Sequence, residues 1–188
     1  MIIEKIEKEH KKDLIGIDDF SQYEELVSMF EITLKVNDEE YVVSVTPKET
    51  LLTVLRDRLG LLDVKFSCNE GECGACTILL NGKAICSCLM LAVQAQGKTI
   101  TTIKGIAGFG ELHPLQKNFI KHGAIQCGYC TPGMILSAKD LLDNNPNPTE
   151  NEVKEAISGN LCRCTGYQQI GEAIMATAAE VQKDKPTG

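Results

Sequence analysis

The sequence lacks the features that mark several large classes of protein. No run of apolar residues approaches the ~18–20 that a membrane-spanning helix needs. The opening MIIEKIEKEHKKD has neither the long apolar segment nor the small-residue cleavage site of a secretory signal. A net charge of −7 argues against a nucleic-acid partner. We therefore expect a cytoplasmic protein with no membrane span and no bound nucleic acid.

The sequence also lacks the residue patterns of an active site. No nucleophile with a neighbouring base, phosphate-binding glycine loop or flavin site can be recognised. GIAGFG at 105–110 is rich in glycine, but it does not join a strand to a helix as a dinucleotide-binding loop does. We expect the catalytic residues to lie in another chain.

Cysteine is the residue that the sequence has in abundance. There are nine in 188 residues, within an otherwise ordinary globular composition that is 43% hydrophobic and contains no Trp. Nine is an odd number, and the reducing cytosol disfavours disulfides. Metal binding is therefore the first prediction for these thiols.

The first half of the chain predicts a small α+β domain. Two β-rich runs, FEITLKV and YVVSVT, are separated by NDEE, and TILLNGKAIC at 77–86 contains a second hairpin with Asn81-Gly82 as its turn. The apolar spacing over 50–61 predicts one helix that ends near Gly60. KTITTI at 98–103 predicts a last strand, so we expect a sheet with one helix packed across it.

The second half predicts a small helical bundle. The expected helices lie at 113–122, 133–144, 149–157 and 170–181. Pro114 suits a first helical turn, and TENE from residue 149 is a capping-box pattern. The predicted domain limits are an acidic N-terminal extension at 1–29, a sheet domain at 30–105 and a helical domain at 106–188.

The first cysteine group is Cys68, Cys73 and Cys76, spaced C-x4-C-x2-C. This is the plant-type ferredoxin spacing for a [2Fe–2S] cluster, whereas structural zinc more often uses two C-x2-C pairs. Small residues between the thiols let the backbone N–H groups approach an anionic cluster. Either Cys86 or Cys88 could supply the fourth thiol, because on one strand both would face the same side.

The second cysteine group is Cys127-x2-Cys130 followed by Cys162-x-Cys164. The first pair is expected near the start of the second helix of the bundle, and the second pair just before the fourth. Helix N-termini favour an anionic cluster, although this spacing alone could also bind zinc.

Four motifs together resemble the iron–sulfur subunit of the xanthine dehydrogenase, or molybdenum hydroxylase, family. They are CNEGECGACT from residue 68, SCLMLAVQAQG from 87, QCGYCTPGMI from 126 and GNLCRCTGYQQI from 159. They occur in the family's order, and the resemblance extends from residue 30 to residue 177.

The resemblance implies an N-terminal β-grasp, ferredoxin-like [2Fe–2S] domain and a C-terminal four-helix-bundle [2Fe–2S] domain. The implied ligands are Cys68, Cys73, Cys76 and Cys88 for the first cluster, and Cys127, Cys130, Cys162 and Cys164 for the second. The family's S-C-x-M/L-x-A-V-Q-A run selects Cys88 over Cys86, which would then be an ordinary buried residue. Gln126 and Cys164 are implied to lie near the pterin of a partner subunit.

The resemblance further implies the electron-transfer subunit of a multisubunit molybdenum-dependent oxidoreductase. Its partners would be a subunit that binds molybdenum with molybdopterin and an FAD-binding subunit or an external acceptor. The loop at 68–77 leans towards relatives that act on xanthine and N-heterocycles. Two alternatives remain: a freestanding two-cluster redox carrier, and a zinc-binding adaptor.

Overall fold

The computed structural model describes residues 29–108 and 110–183. Within them a five-stranded sheet is followed along the chain by four α-helices, which is the predicted α+β order. The acidic extension predicted at 1–29 falls almost entirely outside the described residues and stays a prediction, as do the exact domain limits. No helix in the described ranges is long and apolar enough to cross a membrane.

Strands β1 (Phe30–Val36) and β2 (Glu39–Val45) form the first predicted hairpin and pair antiparallel. The chain reverses at Asn37 and Asp38, which both adopt positive φ angles, 51° and 69°. Two such residues form the tight turn whose twist matches that of the strands. Alternate side chains of β1 are buried, so one face of this hairpin covers the core of the domain.

A short helix crosses the sheet. It begins as α1 (Leu51–Thr53) and continues as a π-helical turn over Val54–Arg58. The helix predicted at 50–61 is therefore confirmed in position but is shorter. Gly60, with φ 69°, ends it by donating its N–H to the Arg56 carbonyl, since glycine adopts this left-handed conformation without strain.

The other three strands complete a β-grasp sheet. Strands β3 (Thr77–Leu80) and β4 (Lys83–Cys86) form the second predicted hairpin, and β5 (Thr99–Thr101) is the predicted last strand. The order across the sheet is β2-β1-β5-β3-β4, in which only the β1–β5 pair is parallel. The central position of β5 joins the two hairpins into one sheet.

The structure corrects one premise about Cys86 and Cys88. Cys86 ends β4, but Cys88 lies in a 3-10 turn, Ser87–Leu89, and not on the strand. Both the N–H and the hydroxyl of Ser87 donate to the Cys76 carbonyl, at 3.3 and 2.8 Å. These bonds turn the chain out of the strand, so the two thiols occupy different environments.

The second half contains the four expected helices of the bundle. They are α2 (Pro114–Lys121), α3 (Thr131–Asn144), α4 (Glu150–Ile157) and α5 (Gln168–Lys183). His113 caps α2 by accepting the Leu115 N–H at its Nδ1. The predicted capping box of α4 is confirmed, with Thr149 and Glu152 bonding each other's backbone N–H.

Each half has its own apolar core, and the two halves are in contact. Leu34, Leu55, Ile78 and Ile100 are fully buried in the sheet domain, and Leu115, Phe119, Met134 and Ile170 in the helical domain. Helix α3 packs against β3 and β4. The loop after α1 and the segment after α4, which carry cysteines, meet at this boundary.

Candidate metal centres

The first centre lies where the loop before β3 meets the turn after β4. The structure brings Cys68, Cys73, Cys76 and Cys88 together there. Cys68 and Cys73 lie within hydrogen-bonding reach of each other, as do Cys76 and Cys88. Cys76 and Cys88 are 3% and 5% exposed, while Cys68 and Cys73 are half-buried. The group is therefore closed towards the core and open towards the surface.

The loop wraps tightly round this centre because its backbone takes positive φ angles. Asn69, Gly71 and Gly74 have φ of 59°, 80° and 65°. At Gly71 a Cβ atom would also lie 2.4 Å from a methyl carbon of Leu89, so the Leu89 side chain, which is 68% exposed, would have to turn away. Glycine adopts the positive φ angles of Gly71 and Gly74 without strain, which allows the loop its tight path.

Hydrogen bonds favour the thiolate form of two of these cysteines. The Glu70 N–H donates to Cys68 Sγ at 3.4 Å, and this bond is the largest cause that lowers the pKa of Cys68 to about 7. The pKa of Cys76 is also lowered, first by the Cys86 thiol and then by the Cys88 N–H, against the opposing effect of burial. Thiolates are the form that binds metals.

Cys86 is a fifth thiol beside this centre. Its Sγ lies 3.8 Å from the Gly71 carbonyl oxygen, and its hydrogen bond to Cys76, together with burial, raises its own pKa. The pKa of Cys88 is raised as well, by burial and by Cys76. Cys86 is thus half-buried against the other thiols and against the core of the sheet domain. Its expected role as an ordinary buried residue stays a prediction.

The second centre lies where the start of α3 meets the segment between α4 and α5. Cys130 occupies the position before the first residue of α3, as the sequence predicted. The Sγ atoms of Cys127 and Cys164 are 3.6 Å apart, and Cys130 and Cys162 lie within hydrogen-bonding reach of each other. Two thiolates on one tetrahedral metal, each at about 2.3 Å, are about 3.8 Å apart. The distance between Cys127 and Cys164 is therefore close to the one that a shared metal atom requires.

Two residues that sequence reasoning missed surround Cys162. Thr165 donates both its N–H and its hydroxyl to Cys162 Sγ, at 3.3 and 3.1 Å, and the Tyr167 hydroxyl accepts the Cys162 N–H at 2.8 Å. Burial alone would raise the pKa of Cys162, but hydrogen bonds, of which the two from Thr165 are the largest, outweigh it together and lower this pKa. Both residues belong to the GNLCRCTGYQQI motif, although their type alone does not reveal these contacts.

The remaining thiols of the second centre differ in exposure. Burial, followed by the Cys162 neighbour, raises the pKa of Cys130 to about 12. Gln126, Cys127 and Cys164 are exposed at the surface. Tyr129 beside them is 48% exposed, and its hydroxyl donates to the Phe66 carbonyl of the sheet domain. One side of the second centre is therefore partly buried, and the other side is exposed at the surface.

The donor set at each centre suits an iron–sulfur cluster. Each centre offers four thiols, with N–H and hydroxyl donors aimed at their sulfur atoms. This combination fits the [2Fe–2S] cluster, whose anionic sulfur atoms accept hydrogen bonds.

Two family descriptions match successive parts of the chain. Residues 34–100 match a 2Fe-2S iron-sulfur cluster binding domain, and residues 102–175 match a [2Fe-2S] binding domain. The class of protein is therefore a chain with two [2Fe–2S]-binding domains, as predicted.

Individual relatives narrow this class to a family. The small FeS subunit of nicotinate dehydrogenase from Eubacterium barkeri is 52% identical over 76% of this chain and 91% of its own length. The iron-sulfur-binding subunit of aldehyde oxidoreductase from Escherichia coli is 43% identical over 80% of this chain and 72% of its own length. This chain belongs to the family of small iron–sulfur subunits of the xanthine dehydrogenase-type molybdenum hydroxylases.

A solved structure agrees with this membership. Quinoline 2-oxidoreductase from Pseudomonas putida 86 contains a chain that is 43% identical to this one, with a TM-score of 0.79. The match covers 84% of this chain and 98% of that chain. The relatives are iron–sulfur subunits of molybdenum-dependent oxidoreductases, which is consistent with a role in electron transfer.

Proposed function

We propose that this chain binds two [2Fe–2S] clusters and relays single electrons between a molybdenum-containing partner subunit and an acceptor. The observation that carries the proposal is the presence of two complete four-thiol sets in one chain. When bound, such clusters supply one-electron oxidation and reduction. The chain's own residues hold the clusters, set their hydrogen bonding and fix the separation between them.

The proposed ligands are those that the resemblance to the family implied. They are Cys68, Cys73, Cys76 and Cys88 for the first cluster, and Cys127, Cys130, Cys162 and Cys164 for the second. Cys88 is chosen over Cys86 because it is the more buried thiol and receives the Gly71 N–H. Cys86 then acts as a neutral donor to Cys76. In the second centre, we assign Cys127 with Cys164 to one iron, and Cys130 with Cys162 to the other.

The exposed edge of the second centre is the proposed contact with the molybdenum-binding subunit. Gln126 and Cys164 are both exposed there, and we propose that they lie against the pterin of the cofactor in that partner. The half-buried Cys68 and Cys73 leave the first centre within reach of a second partner. We propose that an FAD-binding subunit accepts electrons there. An external electron acceptor is the alternative.

The proposed substrate class of the whole complex is N-heteroaromatic. This follows the loop at 68–77 and the similarity to the FeS subunit of a nicotinate dehydrogenase. The cytoplasm is the proposed location, because it keeps the nine free thiols reduced until the clusters form.

Metal analysis and spectroscopy test the two-cluster proposal. The purified chain, produced in a host that assembles iron–sulfur clusters, should be coloured and contain about four iron and four acid-labile sulfide per chain. Reduction should give two distinct [2Fe–2S] signals in electron paramagnetic resonance. A colourless protein that contains zinc would replace this proposal with the zinc-binding adaptor.

Co-purification separates the subunit from a freestanding carrier. An affinity tag on this chain should recover a molybdenum-containing subunit that hydroxylates an N-heteroaromatic compound. Recovery of the chain alone, fully loaded and active as a carrier, would favour the freestanding two-cluster carrier. Recovery of a complex that oxidises only aldehydes would reject the substrate class and keep the electron-transfer role.

A further inference from the structure

The two cysteine-bearing segments meet at a junction that tolerates no extra atoms. We name the junction by its three members: Gly74 before β3, Gly133 in the first turn of α3, and Asn160 after α4. A Cβ atom on Gly133 would lie 2.4 Å from the Gly74 carbonyl oxygen. A Cβ atom on Gly74 would lie 2.4 Å from the Gly159 carbonyl oxygen. These are contacts between backbones, so they cannot be relieved by turning a side chain.

Asn160 stabilises this junction through hydrogen bonds made by both the nitrogen and the oxygen of its side-chain amide. Its Nδ2 donates to the Gly74 carbonyl at 2.9 Å and to Thr77 Oγ1 at 3.3 Å, and its Oδ1 accepts the Ser137 hydroxyl at 2.7 Å. The residue is 4% exposed. A buried amide whose oxygen and nitrogen are both satisfied holds its neighbours in one geometry, because a lost partner costs the desolvation energy of that group.

The junction places one hydrogen bond directly between the two cysteine sets. The N–H of Leu161, the residue after Asn160, donates to the Cys73 carbonyl at 2.9 Å. Leu161 in turn precedes Cys162. A continuous route therefore runs from the Cys73 side chain through its own carbonyl, across this one bond, and along the backbone to Cys162.

We propose that the junction sets the electronic coupling between the two clusters by holding the Leu161–Cys73 hydrogen bond, with Asn160 as a positioning residue. The inference rests on the proposed function. The step is the transfer of one electron from the reduced second centre to the oxidised first centre, in which no bond breaks and no proton moves. Electronic coupling weakens more steeply across a gap than along bonds, so the length of this one contact governs the rate.

A second contact between the domains offers a matched control. Lys83, the first residue of β4, pairs with Asp140 of α3 at 3.3 Å and donates to Asn144 Oδ1 at 2.7 Å. Lys83 also lines an open cleft of about 480 Å³, as does Asn160. Lys83 joins the same two domains but bonds to none of the cysteines. Lys83→Ala therefore loosens the domain contact without altering the proposed route.

The test uses the assembled complex with three junction variants and the Lys83→Ala control. Ser137→Ala removes one hydrogen bond to Asn160, and Asn160→Ala removes all the hydrogen bonds of its side-chain amide. Gly133→Ala forces the backbones at Gly133 and Gly74 apart. In each protein the readouts are iron content, the spin–spin splitting of the two reduced clusters in electron paramagnetic resonance, and the rate of electron transfer between clusters after flash reduction.

We expect the junction variants to retain both clusters, to show a narrower splitting and to transfer electrons more slowly, with Ser137→Ala the mildest. Lys83→Ala should match the wild type in both readouts. Fully loaded junction variants with unchanged splitting and rate would overturn the inference, and so would an equal loss in Lys83→Ala. If Asn160→Ala or Gly133→Ala loses its clusters, the test rests on Ser137→Ala. An unchanged spin–spin splitting in that variant would also overturn the inference. A wild-type chain without two [2Fe–2S] signals would instead reject the proposed function.

Discussion

The sulfur atoms of Cys127 and Cys164 lie 3.6 Å apart at the surface of the helical domain, although 37 positions separate the two residues in the chain. One comes from the segment before α3 and the other from the segment before α5. This distance suits two thiolates on one metal, and it also lets the thiols react with each other when no metal is present.

Mild oxidation of the cluster-free chain should therefore join Cys127 to Cys164. Both thiols are exposed, so a thiol oxidant such as diamide can reach them before it reaches the half-buried Cys130 and Cys162. Peptide mapping under non-reducing conditions measures the pairing. Cys130→Ser should leave this crosslink intact, whereas a dominant Cys127–Cys130 crosslink would contradict the pairing.

The ferredoxin-type cluster should depend on Cys88 and not on Cys86. Cys88→Ser removes a proposed ligand, so we expect it to lose that cluster and keep the second. Cys86→Ser keeps a small hydrogen-bond donor beside Cys76, so both clusters should persist. Iron content and the two paramagnetic signals give the measurement. The opposite result, in which only Cys86→Ser loses the cluster, would exchange the two assignments.

Local features of this fold could be predicted from the sequence, whereas contacts between distant segments could not. The Asn81-Gly82 turn and the Thr149 cap depend on neighbouring residues, and both were found as expected. Spacing alone also separated the cysteines into two groups. In contrast, the bond from Asn160 to Gly74 joins residues 86 positions apart, and no local pattern encodes such a contact.

Cys88 is an instructive intermediate case. Treating it as a strand residue gave no basis for choosing between it and Cys86, because residues two apart on a strand face the same side. The structure gives a physical basis for choosing between the two thiols, because Cys88 lies in the 3-10 turn at Ser87–Leu89 and not on the strand. The bonds from Ser87 to the distant Cys76 carbonyl fix this turn. The resemblance to a family supplied the preference that local physics could not.

The Thr165 hydroxyl should raise the reduction potential of the second cluster. It donates to Cys162 Sγ at 3.1 Å, and a donor stabilises the more negative, reduced form more than the oxidised form. Thr165→Val keeps the shape but removes this bond, so we expect the potential to fall by about 20–60 mV. Redox titration followed by electron paramagnetic resonance measures it. Thr165→Ser keeps the hydroxyl and should stay close to the wild type.

Glu49 should stabilise the sheet domain in a pH-dependent way. Its carboxylate accepts the Thr46 N–H at 2.6 Å and pairs with Arg58 at 2.7 Å. Partial burial opposes ionisation, but these partners outweigh it and lower the pKa of Glu49 below its ordinary value of 4.5. Because the folded pKa is depressed, the stabilisation is complete above the unfolded value and is lost as the pH falls through the folded value.

Glu49→Gln should therefore lower the free energy of unfolding at neutral pH by about 1 kcal/mol, a modest amount because water partly screens the pair. The difference from the wild type should shrink as the pH falls from neutral through the folded pKa of Glu49. Urea denaturation of both proteins across this range measures the difference, and acid release of the clusters affects both alike. Glu31→Gln removes a carboxylate from an exposed position of β1 and serves as the control. A Glu49→Gln difference that stayed constant with pH would mean that its loss of stability does not come from the charge of this carboxylate.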